Sequence, residues 1–553
     1  MSSDRRHVYI QARAAASRSH CVDALEKGFQ NSKRTWVSLA ASFRKVEPLD
    51  PGQASSTNSE ESWAVATHWI KSCTSKHALC NSLRDSSTWY PSRLLDIGLP
   101  DTKTMCLICT GETSVDGHYI TLSHCWGMNE FIHLTDSNID AFKQRVPTSE
   151  FPQTFQDTIV VARRLNIRYI WIDSLCIIQQ QPSKADWRKE SPQMGKVYAN
   201  AFCNIAATAS EDGTKGLFRA RNPARAFPAA FNHESTKRMV AITLWDDWEK
   251  RVVESPLIRR GWVFQERLLS PRILHFARDE MLWECCELRA TERHPDGIPF
   301  HFAKNNDKGG LYSILSLAKV STANHREGTS AQVILHQWIG LLQEYSKTSV
   351  TYTDDKLVAI AGLAKMVHAV LDVGYVAGMW NMYLPQQLLW RLRPFNEVLR
   401  QPSSYRAPSF SWASVENPVV WNITIPSGSE DSLELIDIET IRITHASPGM
   451  FGAVTGGYID IKGKLISRRD GDESKYYGDY MDHGREFDGQ AADFRVPIIL
   501  YRDYIYNLIL EPADLDSTTF RRVGCVVSVF PKGYSVNGYL EELESQKRQI
   551  RII

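Results

Sequence analysis

Four groups of side chains in this sequence have the types and spacing that chemistry uses. Ser123, His124 and Cys125 stand in a row within HYITLSHCWG, a nucleophile, a base and a thiol in three residues. Neighbours on an extended strand point to opposite faces, so Ser123 and His124 do not simply pair. Two readings stay open: a reactive loop, or a tight turn ending at Gly127 with His124 hydrogen-bonded. Asp173, followed by Ser174 and Cys176, interrupts the apolar run RYIWIDSLCIIQ. A carboxylate there is costly unless it is hydrogen-bonded or lies at the open end of a strand. Trp262 and Glu266 are four apart in RGWVFQERLLS and share a helix face. A carboxylate held beside Trp in a cleft has its neutral form favoured, as a general acid or poised carboxylate requires. The alternative is a salt bridge from Glu266 to Arg260 or Arg272. Finally, Cys73, His77 and Cys80 follow CxxxHxxC. That spacing suits zinc, but only three ligands are visible and no second cluster follows at a usual interval. The expectation is a helix that packs the three along one face, and no metal.

The elements that must position these groups follow from periodicity. Tyr119 to Leu122 is a short buried strand, and Ser123 to Gly127 the loop leaving its carboxyl end. Thr154 to Leu165 is helical, with Thr154 as a cap, Asp157 in the first turn, Ile159, Ala162 and Leu165 inward, and Asn166 at its end. Ile170, Trp171, Ile172 and Ile177 favour extended backbone, and such a run reads as a strand buried on both faces of a parallel sheet. Strand, helix and strand make a βαβ unit, and ligands of open α/β sheets bind at the carboxyl ends of strands. A helix over Asp186 to Ala201 and a third strand over Phe202 to Ala207 continue the pattern. Leu94 to Ile97, Met105 to Cys109, Ile273 to Phe276 and Met281 to Cys285 are further strand-like pieces, and Arg260 to Ser270 is helical before Pro271. From Gly309 to about Leu399 the pattern is helical throughout. Beyond Leu433 it turns to period two, a β-rich portion. Pro48 to Ser62 has the composition of a flexible linker. The expected organisation is a flexible segment (1–60), a helical lead-in (61–115), an α/β domain (116–290), a mainly helical region (291–420) and a β-rich C-terminal region (421–553).

Composition narrows the function classes. The 553 residues are 43% hydrophobic and 23% charged with a net charge of +1, a globular balance with no electrostatic pointer to nucleic acid or a membrane surface. Eleven cysteines, an odd number, without a secretory h-region point to a reducing, cytoplasmic setting. The Arg- and Ala-containing N-terminus is weak as a transit peptide, because Asp4 and the lack of an amphipathic stripe oppose it. No uninterrupted apolar span is present: Leu357 to Val376 is broken by Lys365, His368 and Asp372 and reads as a buried helix. No GxxxxGK[ST], GxGxxG or HExxH occurs, so phosphate-loop, dinucleotide-fold and zincin chemistry lack their fingerprints.

Three stretches together resemble the fungal heterokaryon-incompatibility (HET) domain: YITLSHCWG (119–127), FPQTFQDTIVVARRLNIRYIWIDSLCIIQ (151–179) and RGWVFQERLLSPRILHF (260–276), with MGKVYANAFCNIAATAS (194–210) between. The family's first motif carries Tyr where this chain has His124. The CxxxHxxC helix, DDKLVAIAGLA (354–364) and PSFSWAS (408–414) resemble the flanks of HET domains in large fungal proteins. The resemblance implies a TIR-like, flavodoxin-like α/β fold and a role in non-self recognition and programmed cell death. It also implies protein partners in incompatibility signalling, with homo-oligomerisation as one form. It leaves open NAD+ cleavage, with NAD as substrate and no resident cofactor. Glu266 would then be the catalytic carboxylate, with Ser123, His124, Trp126, Asp173, Cys176 and Trp262 lining the pocket. A hydrolase built on Ser123, His124 or Cys176 is the remaining alternative.

Overall fold

The computed structural model describes residues 9–10, 39–43, 55–82, 89–128, 130–179, 184–221, 230–233, 238–244, 248–298, 308, 310–312, 329–393, 400–421, 432–467, 479–481, 494–514, 518–531 and 533–553. Two compact units divide the chain. The first comprises residues 1–180, 201–258 and 270–306; the second comprises 181–200, 259–269 and 307–553.

The first unit is built on a nine-stranded mixed sheet. Its strands are β1 (Arg93–Asp96), β2 (Thr104–Cys109), β3 (Tyr119–Ser123), β4 (Val146–Pro147), β5 (Tyr169–Ile172), β6 (Asn204–Ala206), β7 (Arg272–Phe276), β8 (Met281–Cys285) and β9 (Arg289–Thr291). They lie in the order β9-β8-β7-β6-β3-β5-β1-β2-β4. The middle four, β7, β6, β3 and β5, are parallel, and the flanking strands run antiparallel. Every residue of β3, β5 and β6 is buried, as near-continuous apolar runs in a covered parallel sheet must be. The βαβ unit forms as expected: β3 leads to helix α3 (Gln153–Arg164) and then to β5. Asn166 closes α3 in the left-handed region at φ 56°, which Asn tolerates better than most residues.

Local expectations differ at several places. Thr154 does not cap α3. Pro152 does, without a side-chain bond, and Thr154 lies buried inside the first turn. The strand β5 stops at Ile172, and Asp173–Cys176 forms a helical turn, α4. Asp173 therefore starts a turn at the carboxyl end of the strand and does not interrupt it. The lead-in helix α1 (Glu60–Lys76) ends at His77, which is extended, and Cys80 belongs to a second helix, α2 (Ala78–Ser82). The three CxxxHxxC side chains thus do not share the face of one continuous helix. Helix α1 also reaches into the expected linker, its first turn capped by the Ser59 hydroxyl. Residues 48–54 of that linker lie outside the described residues. Within the expected flexible segment, Tyr9–Ile10 and Leu39–Phe43 are strands in a four-stranded sheet with Ala230–His233 and Arg238–Leu244.

The second unit holds α5 (Met194–Asn200), α6 (Gly261–Leu269), α7 (Thr329–Tyr345), α8 (Ala361–Leu371) and a C-terminal sheet. The expected helix over 186–201 is divided into Ala185–Glu190, a 3-10 turn at Ser191–Gln193, and α5, because Pro192 supplies no N–H to the helical ladder. The 309–399 region is not helical throughout. Tyr375–Val376 pairs with Met379–Trp380, and Trp390–Leu392 pairs with Val419–Trp421. Short buried strands and buried helix turns have the same apolar signature. The β-rich C-terminal portion forms as expected, a largely antiparallel nine-stranded sheet followed by a single parallel pairing of Thr519–Val529 with Arg548–Ile552. No described helix is long and apolar enough to cross a membrane.

Candidate functional site

The carboxyl ends of β3 and β5 bring together most of the residues singled out in the first unit. Ser123 is 1% exposed and pairs with Ala206 of β6, while Asn204 of that strand stands opposite Thr121. The Asn204 amide donates to Ser123 Oγ at 3.0 Å, and Thr121 Oγ1 donates to Asn204 Oδ1 at 3.0 Å. Thr121 and Ser123 are two apart, so both reach the same face of β3, and one Asn on the neighbouring strand serves both. Ser123 is therefore held by Asn204, while the next residue, His124, turns to the other side.

His124 is 2% exposed, with Nδ1 3.7 Å from Asp173 Oδ1. Phe155 and Phe131 meet its ring edge-on, at centroid distances of 5.0 and 6.3 Å. Two residues on, the Trp126 indole N–H donates to Asp173 Oδ2 at 3.1 Å. The Asp173 carboxylate also accepts the Ser174 N–H on Oδ1 at 2.7 Å. It thus fastens the loop after β3 to the turn after β5, and at 17% exposure it is more open than His124 at 2%. Gln179 secures the far side of the same turn, its amide donating to the Asp173 and Ile177 carbonyls. Cys176 is buried, and its carbonyl accepts from Arg93 at 2.8 Å. Gly127 ends the loop at φ +72°, where an added Cβ would lie 2.4 Å from Asp212 Cβ. Only glycine fits that backbone and that approach.

The first part of the third motif, residues 260–269, belongs to the second unit, where α6 carries Trp262 and Glu266. Trp262 is half-buried. Its indole N–H donates to Asp355 Oδ2 at 3.0 Å, and Trp187 meets its ring edge-on at 6.2 Å. Burial pushes the Asp355 carboxyl up from its ordinary value, and the Trp262 bond pulls it partly back. Glu266 is 3% exposed. The same helix meets the DDKLVAIAGLA segment again at Gln265, which accepts the Gly362 N–H at 3.2 Å. Gly362 also faces Gly195 of α5 so closely that a Cβ on it would lie 3.2 Å from Gly195 Cα and 2.7 Å from Gln265 Oε1. Two helices meet backbone to backbone there, which explains a glycine in each motif. PSFSWAS is fixed within this unit as well: Ser411 Oγ and Trp412 Nε1 donate to the carbonyls of Ala377 and Gly378. A cavity of about 580 Å³ in this unit, between Trp390, Arg406, Arg522 and Ile553, is lined by none of the expected site residues.

Sequence reasoning missed Asn204, Asp355 and Cys285. An Asn inside a buried strand is a local signal for the first. Asp355 and Cys285 are recognisable only through partners far along the chain. Cys285 matters because it joins Cys73, His77 and Cys80 in a group whose side chains are close enough to hold a cation.

Residues 119–266 match the family model described as heterokaryon incompatibility protein (HET), a stretch that begins with β3 and ends on Glu266. No curated protein and no solved structure matches the chain significantly.

Proposed function

With a HET domain over residues 119–266 as the premise, we propose that this is a heterokaryon-incompatibility protein of fungal non-self recognition. It acts in the cytoplasm as a regulator or effector of programmed cell death, through contacts with protein partners. The observation that carries this reading is the state of the motif residues. Ser123, His124, Cys176 and Glu266 are each 3% exposed or less, and Asp173, Trp126, Trp262 and Gln265 are engaged in bonds that join one motif segment to another. Side chains used in this way shape a surface and its stability. The test is induced expression of the full chain in a fungal host, with cell viability as the readout. Death that depends on an intact Asp173 clamp supports the reading; a stable, fully expressed chain that leaves viability unchanged overturns it.

A second reading is a TIR-like NAD-cleaving enzyme, favoured by one feature of the sheet. Taken in chain order, the four parallel strands lie 2-1-3-4, as in flavodoxin-like sheets, whose ligands bind where the order reverses. That reversal falls between β3 and β6, whose carboxyl ends are Ser123 and its register partner Ala206. In this reading Glu266 stabilises an oxocarbenium-like transition state as the bond between nicotinamide and ribose breaks. A carboxylate 3% exposed needs an opening motion before it can meet ribose. Nicotinamide release by the purified chain, abolished in Glu266→Ala, is the outcome this reading requires.

A further inference from the structure

A second cluster in the first unit uses none of the side chains assigned to the expected site. Helix α1 supplies Cys73. His77 follows in extended backbone, its N–H bonded to the Cys73 carbonyl at 3.2 Å, and α2 supplies Cys80. The Asn81 side-chain amide fixes this turn by donating to the carbonyls of Cys73, Thr74 and His77 at 3.2, 3.1 and 2.8 Å. The fourth member, Cys285, is the last residue of β8. The three Sγ atoms and one His77 ring nitrogen all lie within 4.8 Å of one another, and Cys285 Sγ is 3.3 Å from His77 Nδ1. Tetrahedral zinc with bonds of about 2.0–2.3 Å sets its ligand atoms roughly 3.5–3.8 Å apart. One edge of the cluster is already near that spacing, and the widest needs roughly half an ångström of inward movement per side chain.

The surroundings are those of thiolates. The Leu288 N–H donates to Cys285 Sγ at 3.3 Å, and Arg272 Nε donates to Cys73 Sγ at 3.2 Å. Glu287, in the turn after β8, accepts the Leu79 N–H at 2.7 Å and ties that turn to the His77–Cys80 segment. Arg272 is the independent observation. It is 1% exposed, and its other donors go to the Phe202 carbonyl and Asn81 Oδ1. Among the described residues no carboxylate faces it. A buried guanidinium needs a counter-charge. Three neutral thiols and an imidazole supply none. Three thiolates around a dication carry a net charge of −1, which Arg272 balances.

We propose that Cys73, His77, Cys80 and Cys285 form a structural zinc site, a closed Cys3His tetrad that staples the lead-in helices α1 and α2 to β8 of the central sheet. All four positions are protein ligands, so no site is left open for a substrate. The three sequence-local ligands come from one helix–turn–helix, and the fourth is brought in by the sheet.

The test uses the full chain, purified under reducing conditions without chelator. Elemental analysis, with zinc release by a thiol-blocking mercurial, is expected to give about one zinc per chain. Replacement by cobalt(II) is expected to give the intense visible bands of tetrahedral thiolate coordination. Cys285→Ser loses most of the bound zinc and those bands. His77→Cys keeps the metal with bands shifted to a four-thiolate pattern, which separates ligand loss from misfolding. Cys525→Ser, a buried cysteine of the C-terminal sheet whose Sγ faces the Leu389 and Trp390 carbonyls, keeps both metal and spectrum. A reduced, folded wild-type chain that holds well under one zinc and gives no tetrahedral cobalt spectrum overturns the proposal. So does zinc content unchanged by Cys285→Ser, or a disulfide among these cysteines in place of metal.

Discussion

Replacing Asp173 by Asn keeps the shape of the side chain and exchanges one carboxylate oxygen for an NH2. Both oxygens face donors: Oδ1 takes the Ser174 N–H at 2.7 Å, and Oδ2 takes the Trp126 indole N–H at 3.1 Å. Either orientation of the amide therefore sets a donor against a donor. A hydrogen bond to a charged group is worth about 1.5–3 kcal/mol. At 17% exposure of Asp173 water can partly replace a lost partner, which selects the lower end, about 1.5–2 kcal/mol. If the lost bond is the one to Trp126, deleting that N–H first by Trp126→Phe removes most of the penalty. The double-mutant cycle should then show about 1 kcal/mol of coupling. A chain of two units need not unfold in one step, so the assay is local: hydrogen exchange of peptides spanning 119–135 and 168–179. Asp173→Asn is expected to speed exchange in both by roughly tenfold, and clearly less when introduced into Trp126→Phe. Equal acceleration in both backgrounds, or none in either, would refute the clamp between the two strand ends.

Two further perturbations probe the second unit. Gly362→Ala places a Cβ 2.7 Å from Gln265 Oε1, 2.9 Å from Leu269 Cδ1 and 3.2 Å from Gly195 Cα, and overpacking of this kind costs about 1–3 kcal/mol. Gly340→Ala in α7, with nothing within 4 Å of the new Cβ, should be neutral or gain up to about 1 kcal/mol, and thermal melts of the two variants decide this. Lys356 is held by the Val415 carbonyl at 2.9 Å, and burial pushes its ammonium down to about 7 from 10.5. Between those values the unfolded chain binds the extra proton, so stability should rise as pH increases from 7 toward 10. The interval between those two values caps the gain at ~5 kcal/mol, and relaxation leaves roughly 1–3 kcal/mol. Lys356→Met should flatten that part of the pH–stability curve relative to wild type; parallel curves would show that Lys356 is not the titrating group.

The βαβ core was legible because each of its elements has a local cause. Tyr119–Leu122 and Tyr169–Ile172 are short runs of β-branched, aromatic and aliphatic residues, the helix between them keeps one inner face, and Asn166 marks its end. Pairing across distance has no such signature. The antiparallel strands β1 and β2 that extend the sheet beyond β5 look, residue by residue, like any short apolar run. Trp262 was read against Glu266, four residues away, whereas its hydrogen-bond partner is Asp355. The pair Tyr375–Val376 and Met379–Trp380 turns through Ala377 and Gly378 at φ 47° and 97°. An Ala-Gly turn inside apolar sequence resembles a helix to any periodicity argument. Cys73, His77 and Cys80 announced themselves by spacing, but their fourth member is set by the fold alone.

The most direct measurement is viability after induced expression of the full chain in a fungal host, with cellular NAD quantified in the same cultures. If the HET domain acts through protein contacts, viability falls while NAD stays at the level of uninduced cells, and Asp173→Ala restores growth. Stable expression with unchanged viability contradicts the proposed function. A collapse of NAD that precedes death and disappears in Glu266→Ala assigns the chain to NAD cleavage instead.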